Sequence, residues 1–552
     1  MAIISFNKNQ FEKDFGTLDE ELENKIAMFG TPLEGIEGKE VKIEVFPNRP
    51  DLLSYPGFKR AFFAFIGKNK GLKDYPLNKP EKNYDVFIDS SVKEVRPCTA
   101  CAIVKGLNFN EEKIKELIET QEKLHITMGR KRKKAAIGIY PLEKIKLPIT
   151  FKAVEPDKIK FIPLESEKEL SGLEILQRNP TGKEYAHLLA GKAKFPVFVD
   201  SANNVLSMPP IINSKLTGKV TEETKDVFIE CSGDNLEVLK KCLNIIVTSL
   251  AENGGQIYQM NIHYKNKEIT PDLTPTKIKI SLENTNKILG INLKNKDLKI
   301  LIEKMGHNFN LKENVVEIPS WRTDILHEID IIEDIAIAYG YENFIPEVPA
   351  IATTGEKNKE ELLKKKIADV LSGIGGIEVS NYHLTQRKDQ LEKMNRSKDE
   401  ELIEAQGSKT DYSSLRENLS HLLLKNLSEN IDSEYPQQIF ETGKVFSINN
   451  GEVSEKEMLS GAISPGNFTK IKQIVEYLTR IIGLQGKIEF KEPENVKGEF
   501  IEGRTADILF ENKIIGKLGE IHPKILNNWK IKMPVALFEI ELKEIFEELR
   551  KA

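Results

Sequence analysis

Hydrophobic segments along this chain fall into four blocks separated by polar or proline-rich stretches, a pattern that predicts several separate cores. At 552 residues, and with about 100 to 200 residues per domain, three to five domains are expected. Each block mixes amphipathic helical patterns with short strand-like runs, so we predict a multidomain α+β protein. The predicted domains span residues 1–88, 89–268, 271–347 and 348–552.

Composition and charge predict a soluble, cytoplasmic protein. Charged residues make up 30% of the chain, its mean hydropathy is -0.37, and no apolar run approaches the roughly 20 residues of a membrane span. The N-terminus has neither the basic start nor the apolar run of a secretory signal. The net charge is only -5, so any surface for nucleic acid has to be local.

Cysteine usage predicts free thiols, because four cysteines are too few for a disulfide framework in a chain of this size. Cys98 and Cys101 form a C-x-x-C inside the strand-like run RPCTACAIVKGL. No second pair and no histidine at zinc-finger spacing accompanies them. Packing as small hydrophobic side chains is the favoured role, and a metal or redox role is the alternative.

An acidic helical segment, PSWRTDILHEIDIIEDIAIAYGY, is the strongest chemical signal in the sequence. Residues three and four apart share a helical face, so its carboxylates can converge while Ile329, Ile332, Ala336 and Tyr339 face a core. Several carboxylates without histidine or cysteine suit Mg²⁺. The alternative is a solvated acidic helix start that stabilises the helix dipole. The predicted ligands are Asp324, Asp330, Glu333 and Asp334.

Local turn chemistry is clearest in the first two blocks. In NRPDLLSYPGF, Ser54 is expected to cap a helix and Arg49 to form a buried tie. In the second block the predicted helix EEKIKELIETQEKLH leads into the basic run at 129–134, which is either a solvated turn or a phosphate contact. Further on, FPVFVDSANNVLSMPPIINS joins a buried strand to a proline-interrupted loop, which is a plausible pocket wall.

The remaining blocks predict a small helical module and a large antiparallel sheet. Helix KDLKILIEKMG, with strand VVEIPS and the acidic helix, predicts a helix-turn-helix-like module. Strands PQQIFETGKVFSI, TADILFENKIIGKLG and MPVALFEIEL predict a sheet with flanking helices. The sequence contains no P-loop, dinucleotide fingerprint, H-E-x-x-H or G-x-S-x-G, so ordinary enzyme classes lose support.

The order of motifs along nearly the whole chain resembles the β subunits of phenylalanine tRNA ligases, in their archaeal and eukaryotic form. The motifs are NRPDLLS, QEKLH, RKRKKAAIGIY, NPTGKEYAHLL, VLSMPPIINS, IPSWRTDILHEIDIIEDIAIAYGY, LRENL, FETGKVF, GRTADI and GKLGEIHP. This resemblance implies that the four carboxylates correspond to the family's Mg²⁺-associated set. It also implies that the second domain hydrolyses Tyr mistakenly attached to tRNA. The candidate editing residues are Asp200, Ser207, Asn213, Ser214 and Asp234.

The resemblance further implies that the last domain has a class II synthetase-like fold without the catalytic arginines. Ile439 stands two residues before Glu441, where such a strand would carry an arginine, and no arginine lies between Arg504 and Arg550. An α subunit would therefore bind ATP and Phe, in an assembly of two α and two β chains that binds tRNA. The alternatives are a stand-alone magnesium-dependent hydrolase and a non-enzymatic nucleic-acid-binding protein.

Overall fold

The computed structural model describes residues 2–351, 353–494, 496 and 498–550. The chain divides into two units, Met1–Val348 and Pro349–Ala552. The finer domain boundaries proposed from the sequence remain predictions. Among the described residues, no helix is long and apolar enough to cross a lipid bilayer.

The N-terminal part of the first unit packs a three-stranded antiparallel sheet against three helices. Its elements are β1 (Ala2–Asn7), α1 (Lys8–Phe15), α2 (Glu20–Met28), β2 (Leu33–Glu37), β3 (Glu40–Val45) and α3 (Tyr55–Phe65). The strands pair in the order β1-β3-β2. As predicted, the Ser54 hydroxyl caps α3 by accepting the Gly57 N–H at 3.1 Å, and Arg49 forms a two-pronged ion pair with buried Asp51.

The middle part is built on an eleven-stranded sheet with the path β13-β12-β11-β8-β5-β15-β6-β14-β7, to which β4 and β16 add at β15. Strands β4 and β5 lie before residue 89, so this sheet includes strands from the end of the segment 1–88 that the sequence assigned to the first domain. The elements are β4 (Leu77–Asn78), β5 (Asp85–Ile88), β6 (Cys98–Lys105), α4 (Glu111–Ile126), β7 (Ala135–Pro141), β8 (Ile149–Val154), β9 (Lys160–Phe161), β10 (Leu170–Ser171), α5 (Gly172–Arg178), α6 (Pro180–Tyr185), β11 (Phe195–Val199), β12 (Val205–Met208), β13 (Ile212–Asn213), β14 (Val227–Gly233), α7 (Leu236–Glu252), β15 (Gln256–His263) and β16 (Lys267–Thr270).

The third part combines a three-stranded sheet with three helices. Its elements are β17 (Thr276–Lys279), α8 (Leu282–Leu289), α9 (Asn295–Lys304), β18 (Asn308–Asn310), β19 (Val315–Ile318) and α10 (Glu328–Tyr339). The strands pair in the order β17-β19-β18. Helix α9 buries Leu298, Leu301 and Ile302, and Met305 just beyond it is buried too, which confirms the apolar face predicted from its sequence.

The second unit is organised around a seven-stranded sheet, β20-β23-β24-β28-β27-β26-β25, in which every pair except β20 with β23 is antiparallel. The three predicted strand regions form β23, the β26–β27 hairpin and β28. The elements are α11 (Lys359–Gly373), β20 (Ile377–Glu378), β21 (Leu384–Gln386), α12 (Arg387–Gln390), β22 (Tyr412–Leu415), α13 (Ser420–Glu429), β23 (Gln437–Asn449), β24 (Glu452–Ser464), α14 (Phe468–Ile481), β25 (Ile488–Lys491), β26 (Phe500–Phe510), β27 (Lys513–Ile521), α15 (Pro523–Asn528), β28 (Ala536–Glu541) and α16 (Lys543–Leu549).

The acidic segment contains helix α10, but two of the four predicted ligands are bound to an internal arginine. Arg322 donates to both carboxylate oxygens of buried Asp334, at 3.1 and 2.9 Å, and to those of Asp324 at 2.9 and 2.7 Å. The His307 ring lies 2.7 Å from Asp334. Burial opposes ionisation of Asp334, but the Arg322 charge outweighs it and lowers the pKa of Asp334 to about 2.

The other two carboxylates point elsewhere. Asp330 Oδ2 accepts the backbone N–H groups of Leu326 and His327, each at 2.8 Å, at the start of α10, and Glu333 is exposed. The prediction that all four converge is therefore wrong in this structure. Asp334 lies on the buried side of α10, whereas Ile329, which was expected in the core, is 46% exposed.

We expect Asp334→Ala to lower the free energy of unfolding of the first unit by about 3 to 5 kcal/mol, because it leaves buried cationic Arg322 without one of its two anions. A Trp529→Phe background leaves Trp321 as the single tryptophan, so fluorescence reports on the first unit. Glu333→Ala is the matched control, with an expected change within about 0.5 kcal/mol for an exposed side chain. Equal effects of the two substitutions would contradict the assigned role of Asp334.

We expect Mg²⁺ to leave the same unfolding midpoint at its value in EDTA, because Asp324 and Asp334 already bind Arg322. A ligand that binds only the folded state would raise the midpoint. A rise in Mg²⁺ that Asp330→Asn or Glu333→Gln abolishes would instead support the magnesium site predicted from the sequence.

Candidate functional site

A cavity of about 500 Å³ lies in the middle part of the first unit, where both ends of the large sheet meet helix α4. Strands β7 and β14 come from one end of the sheet path and strands β12 and β13 from the other. The sheet therefore curls, and the Tyr140 hydroxyl of β7 spans the gap by donating toward Asn213 Oδ1 of β13 at 3.3 Å. Apolar lining comes from side chains that include Ile114, Leu117, Ile118, Ile137, Ile139, Ile211 and Val220.

The proline-interrupted loop forms one wall of this cavity, as its irregular sequence predicted. Ser207 and Asn213 pair across β12 and β13 and both line the cavity, with Pro209 and Pro210 between them. Ser207 is buried. Two of the five candidate residues thus lie where a ligand in the cavity can reach them.

A buried carboxyl group, Glu230 of β14, faces the same cavity. It is only 2% exposed, and its Oε1 lies 3.2 Å from the Tyr140 hydroxyl, whose single proton can be donated to only one of Glu230 and Asn213 at a time. Its other oxygen, Oε2, makes no hydrogen bond within the described part of the chain. Burial raises the pKa of Glu230 to about 8, although the charge of Arg96 acts in the opposite direction. At neutral pH the group is therefore mainly a protonated acid that can both donate and accept.

Polar side chains on α4 and the following turn complete the lining. The backbone N–H of Ile137 donates to His125 Nε2 at 2.8 Å, so the proton of neutral His125 lies on Nδ1, which donates to Glu122 at 3.1 Å. Burial lowers the pKa of His125. Because both ring nitrogens are occupied, this histidine is not placed to act as a general base.

The other three candidate residues lie outside the cavity lining. Asp200 is buried in a turn, where its carboxylate accepts backbone N–H groups of Ala202, Asn204 and Lys146 at 2.8 to 3.1 Å. Ser214 is buried, and its backbone N–H donates to Leu206. Asp234 is exposed in the loop before α7. Turn formation and capping explain these residues better than ligand binding does.

Glu230 and Tyr140 were not among the candidate site residues predicted from the sequence. A signal was available, since Glu230 is the only charged residue in the apolar strand VFIECSG, and charged side chains in such strands are rarely buried without a partner or a role. Its position next to Ser207 and Asn213 could not be read, because more than a dozen residues separate it from them along the chain.

The described residues form no cluster of side chains that could bind a metal ion. They contain no group of three or more histidine, cysteine, aspartate or glutamate side chains that could hold an ion, and two of the four predicted Mg²⁺ ligands, Asp324 and Asp334, are paired with Arg322. Cys98 and Cys101 lie three residues apart on β6, so they face opposite sides of the sheet. Cys101 is buried, which raises the pKa of its thiol, and packing accounts for it.

In the second unit, the space next to Glu441 is occupied by the side chain of Arg416. Buried Arg416 donates to Glu441 at 2.6 Å and to the backbone carbonyl of Lys444 at 2.7 Å. A side chain at Gly443 would collide with the Arg416 guanidinium. Arg416 is only 2% exposed, and its guanidinium is held by these internal contacts.

Two family models match this chain. Residues 278–341 match the tRNA synthetase B5 domain, and residues 345–542 match the phenylalanyl tRNA synthetase beta chain CLM domain. The second match covers most of the second unit, and the first covers most of the part that contains α8 to α10.

Whole-chain similarity points the same way. The chain is 42% identical to the phenylalanine–tRNA ligase beta subunit of Thermococcus sibiricus, over 91% of this chain and 90% of that protein. It is 35% identical to that of Archaeoglobus fulgidus over 99% of both chains. A crystal structure of an N-terminal fragment of the Pyrococcus horikoshii phenylalanyl-tRNA synthetase beta subunit matches with a TM-score of 0.58 and 38% identity, covering 61% of this chain and 99% of the fragment. With this extent of identity, the chain belongs to the archaeal-type β subunits of phenylalanine–tRNA ligase.

Proposed function

We propose that the cavity between α4 and the curled sheet is an editing site, at which this ligase subunit hydrolyses Tyr mistakenly attached to tRNA. The observation that carries the proposal is the buried, mainly protonated Glu230 beside Ser207 and Asn213 at the wall of an otherwise apolar cavity. An apolar cavity of this size holds an aromatic amino acid, and its few polar groups supply specificity.

Discrimination between Tyr and Phe in this cavity follows from the free-energy cost of leaving a buried polar group without a hydrogen bond. Tyr exceeds Phe by one hydroxyl, and an apolar pocket cannot strongly reject or select a hydroxyl by shape. In this cavity the Tyr hydroxyl would donate to, or accept from, Glu230, whose Oε2 has no other partner in the described structure. Phe would leave that oxygen unpaired, at a cost of about 1 to 3 kcal/mol. The cavity thus favours Tyr.

Hydrolysis by this site would depend on placement of a water molecule rather than on a protein nucleophile. His125 is held by Ile137 and Glu122, and Asp200 is committed to its turn. Neither can join Ser207 in a proton-relay triad. Positioning a water against the ester of the bound amino acid supplies a large rate gain by itself.

The synthetic reaction is assigned to the partner subunit. The absence of an arginine at Ile439 and the filled space beside Glu441 leave the second unit without a phosphate clamp. The α subunit would bind ATP, Mg²⁺ and Phe, and two α and two β chains would assemble on tRNA. Neither rival is favoured, because no metal cluster forms in the described residues and the basic side chains of α9 are balanced by Asp297 and Glu303.

We expect Ser207→Ala, Asn213→Ala and Glu230→Gln, each in the assembled enzyme, to slow deacylation of preformed Tyr-tRNA. The expected loss for Glu230→Gln is about 5- to 150-fold, the rate equivalent of about 1 to 3 kcal/mol. Formation of Phe-tRNA should stay at the wild-type rate, because the synthetic site lies on the other chain. Asp234→Asn is the matched control, since Asp234 lies outside the cavity, and it should deacylate Tyr-tRNA normally.

If the wild-type enzyme does not deacylate Tyr-tRNA, the editing assignment falls. If all three cavity variants match the wild type while Asp234→Asn slows the reaction, the site lies elsewhere in the domain.

Stability should also depend on pH through Glu230. Its pKa in the folded state, about 8, exceeds its ordinary value of 4.5, so the folded chain binds the proton more tightly than the unfolded chain does. The stabilisation is complete below the ordinary pKa and is lost as pH rises through the folded value. We therefore expect the unfolding midpoint of Glu230→Gln to fall less than that of the wild type between about pH 6 and pH 9. If the unfolding midpoints of the wild type and Glu230→Gln fall equally with pH, Glu230 is already ionised in the folded chain.

We expect the purified chain alone to catalyse no Phe-dependent exchange of pyrophosphate into ATP, because no arginine clamp for phosphate remains in its second unit. Activity should appear when the α subunit is added, together with a larger assembly seen by analytical ultracentrifugation. Exchange by the isolated chain at the rate of the complex would refute this division of labour.

A further inference from the structure

A strained basic turn follows α4 at the edge of the cavity. We call residues Gly129–Lys134 the basic turn. Its three central residues, Arg130, Lys131 and Arg132, have φ angles of 47°, 53° and 64°, which is a left-handed conformation. Each such L-residue costs free energy, and consecutive non-glycine examples are rare. Strain of this kind persists where the surrounding structure enforces it, and it clusters at functional sites.

Backbone hydrogen bonds hold the basic turn in this shape. Gly129 N–H donates to the Leu124 carbonyl at 2.8 Å, Arg132 N–H to the His125 carbonyl at 3.1 Å, and Lys134 N–H to the Gly129 carbonyl at 2.8 Å. The turn therefore reverses the chain directly at the end of α4.

One side chain of the turn points inward. Arg132 lines the cavity, donates to Glu122 at 2.9 Å and to the Ile211 carbonyl at 2.8 Å, and stacks on the Tyr185 ring at 4.3 Å. It ties the turn to the proline-interrupted loop on the opposite wall, so the turn has a defined position at the edge of the cavity.

The other four side chains point outward. Arg130, Lys131, Lys133 and Lys134 are all exposed, and within the described residues none of them lies within ion-pair distance of a carboxylate. Four uncompensated positive charges thus lie within five residues, in a protein whose net charge is -5. Such a local concentration attracts a polyanion even when the whole molecule is acidic.

We propose that the basic turn binds the phosphates of the tRNA strand whose end carries the amino acid into the cavity. The proposal rests on the editing function proposed above. A cavity of about 500 Å³ is too small to enclose a tRNA strand together with the amino acid, so the attached strand must continue over the edge. Arg132 fixes the turn at that edge, and its four neighbours place cations where phosphates of the strand pass. These contacts between the basic turn and the phosphates depend on charge and do not distinguish base sequences.

The test compares three forms of the assembled enzyme. A neutral form carries Arg130→Ser, Lys131→Ser, Lys133→Ser and Lys134→Ser and leaves Arg132 in place. A charge-preserving form carries Arg130→Lys, Lys131→Arg, Lys133→Arg and Lys134→Arg. A matched control carries four lysine-to-serine changes at exposed positions in the third part of the first unit, Lys279, Lys287, Lys296 and Lys312.

Deacylation of preformed Tyr-tRNA is measured over a range of salt concentrations. The neutral form should show a KM raised at least about tenfold with kcat unchanged, and its plot of log kcat/KM against log salt should lose up to about 3 from its slope, since each single-strand phosphate contact contributes about 0.7. The charge-preserving and control forms should match the wild type. An unchanged KM and slope in the neutral form would overturn the proposal.

A second measurement does not depend on editing activity. Uncharged tRNA should protect Lys131, Lys133 and Lys134 of the wild-type assembly from acetylation, as measured by mass spectrometry. If the wild type fails to deacylate Tyr-tRNA but tRNA protects these lysines, the editing function is wrong and the contact with the strand stands. Full acetylation in the presence of saturating tRNA would refute the contact.

The left-handed backbone conformation of Lys131 allows one more test. Lys131→Gly removes the left-handed penalty and should raise the melting temperature by about 1 to 3 °C, while it weakens tRNA binding through loss of one charge. A variant that is more stable and binds tRNA as tightly as the wild type would show that the lysine is not kept at this strained position for binding.

Discussion

The curl of the eleven-stranded sheet is the constraint on which the cavity proposed as the editing site depends. A linear path of strands would leave β7 and β13 at opposite edges, yet both line one cavity. The right-handed twist of adjacent strands accumulates along the path and brings the two edges together. Helix α4 then closes the open side. The hydrogen bond from Tyr140 to Asn213 spans this closure directly.

Buried charges in this chain show how the cavity differs from the rest of the core. Asp51 is paired with Arg49, Asp334 with Arg322, and Glu441 with Arg416. In each case an arginine offsets part of the loss of hydration of the carboxylate. These pairs are internal to the fold and explain the burial of both partners without a ligand.

Glu230 is different, because its direct partner is the neutral hydroxyl of Tyr140. Burial raises its pKa to about 8 even though the charge of Arg96 acts in the opposite direction, so the group keeps its proton at neutral pH. A neutral carboxyl with one free oxygen is suited to a second hydroxyl. The same cavity wall is tied by Arg132 to the basic turn, so the polar end of the cavity and the charged edge outside it are parts of one connected arrangement.

Local sequence determined much of this protein. The Ser54 cap, the apolar face of α9, the long strands of the second unit and the family itself follow from residues close together along the chain, because capping, periodicity and motif order are local properties. The placement of Ser207 and Asn213 in the wall of a cavity was predicted in the same way, from an irregular loop. Only the tertiary structure decided the rest. Helical spacing placed Asp330, Glu333 and Asp334 near one another, but the position of the core turned Asp334 toward Arg322 and left Glu333 in solvent. Likewise Glu230 reaches the cavity only through the curl of the sheet. For α10 and β14, the side that is buried depends on contacts between residues far apart in the chain, which the local pattern did not record.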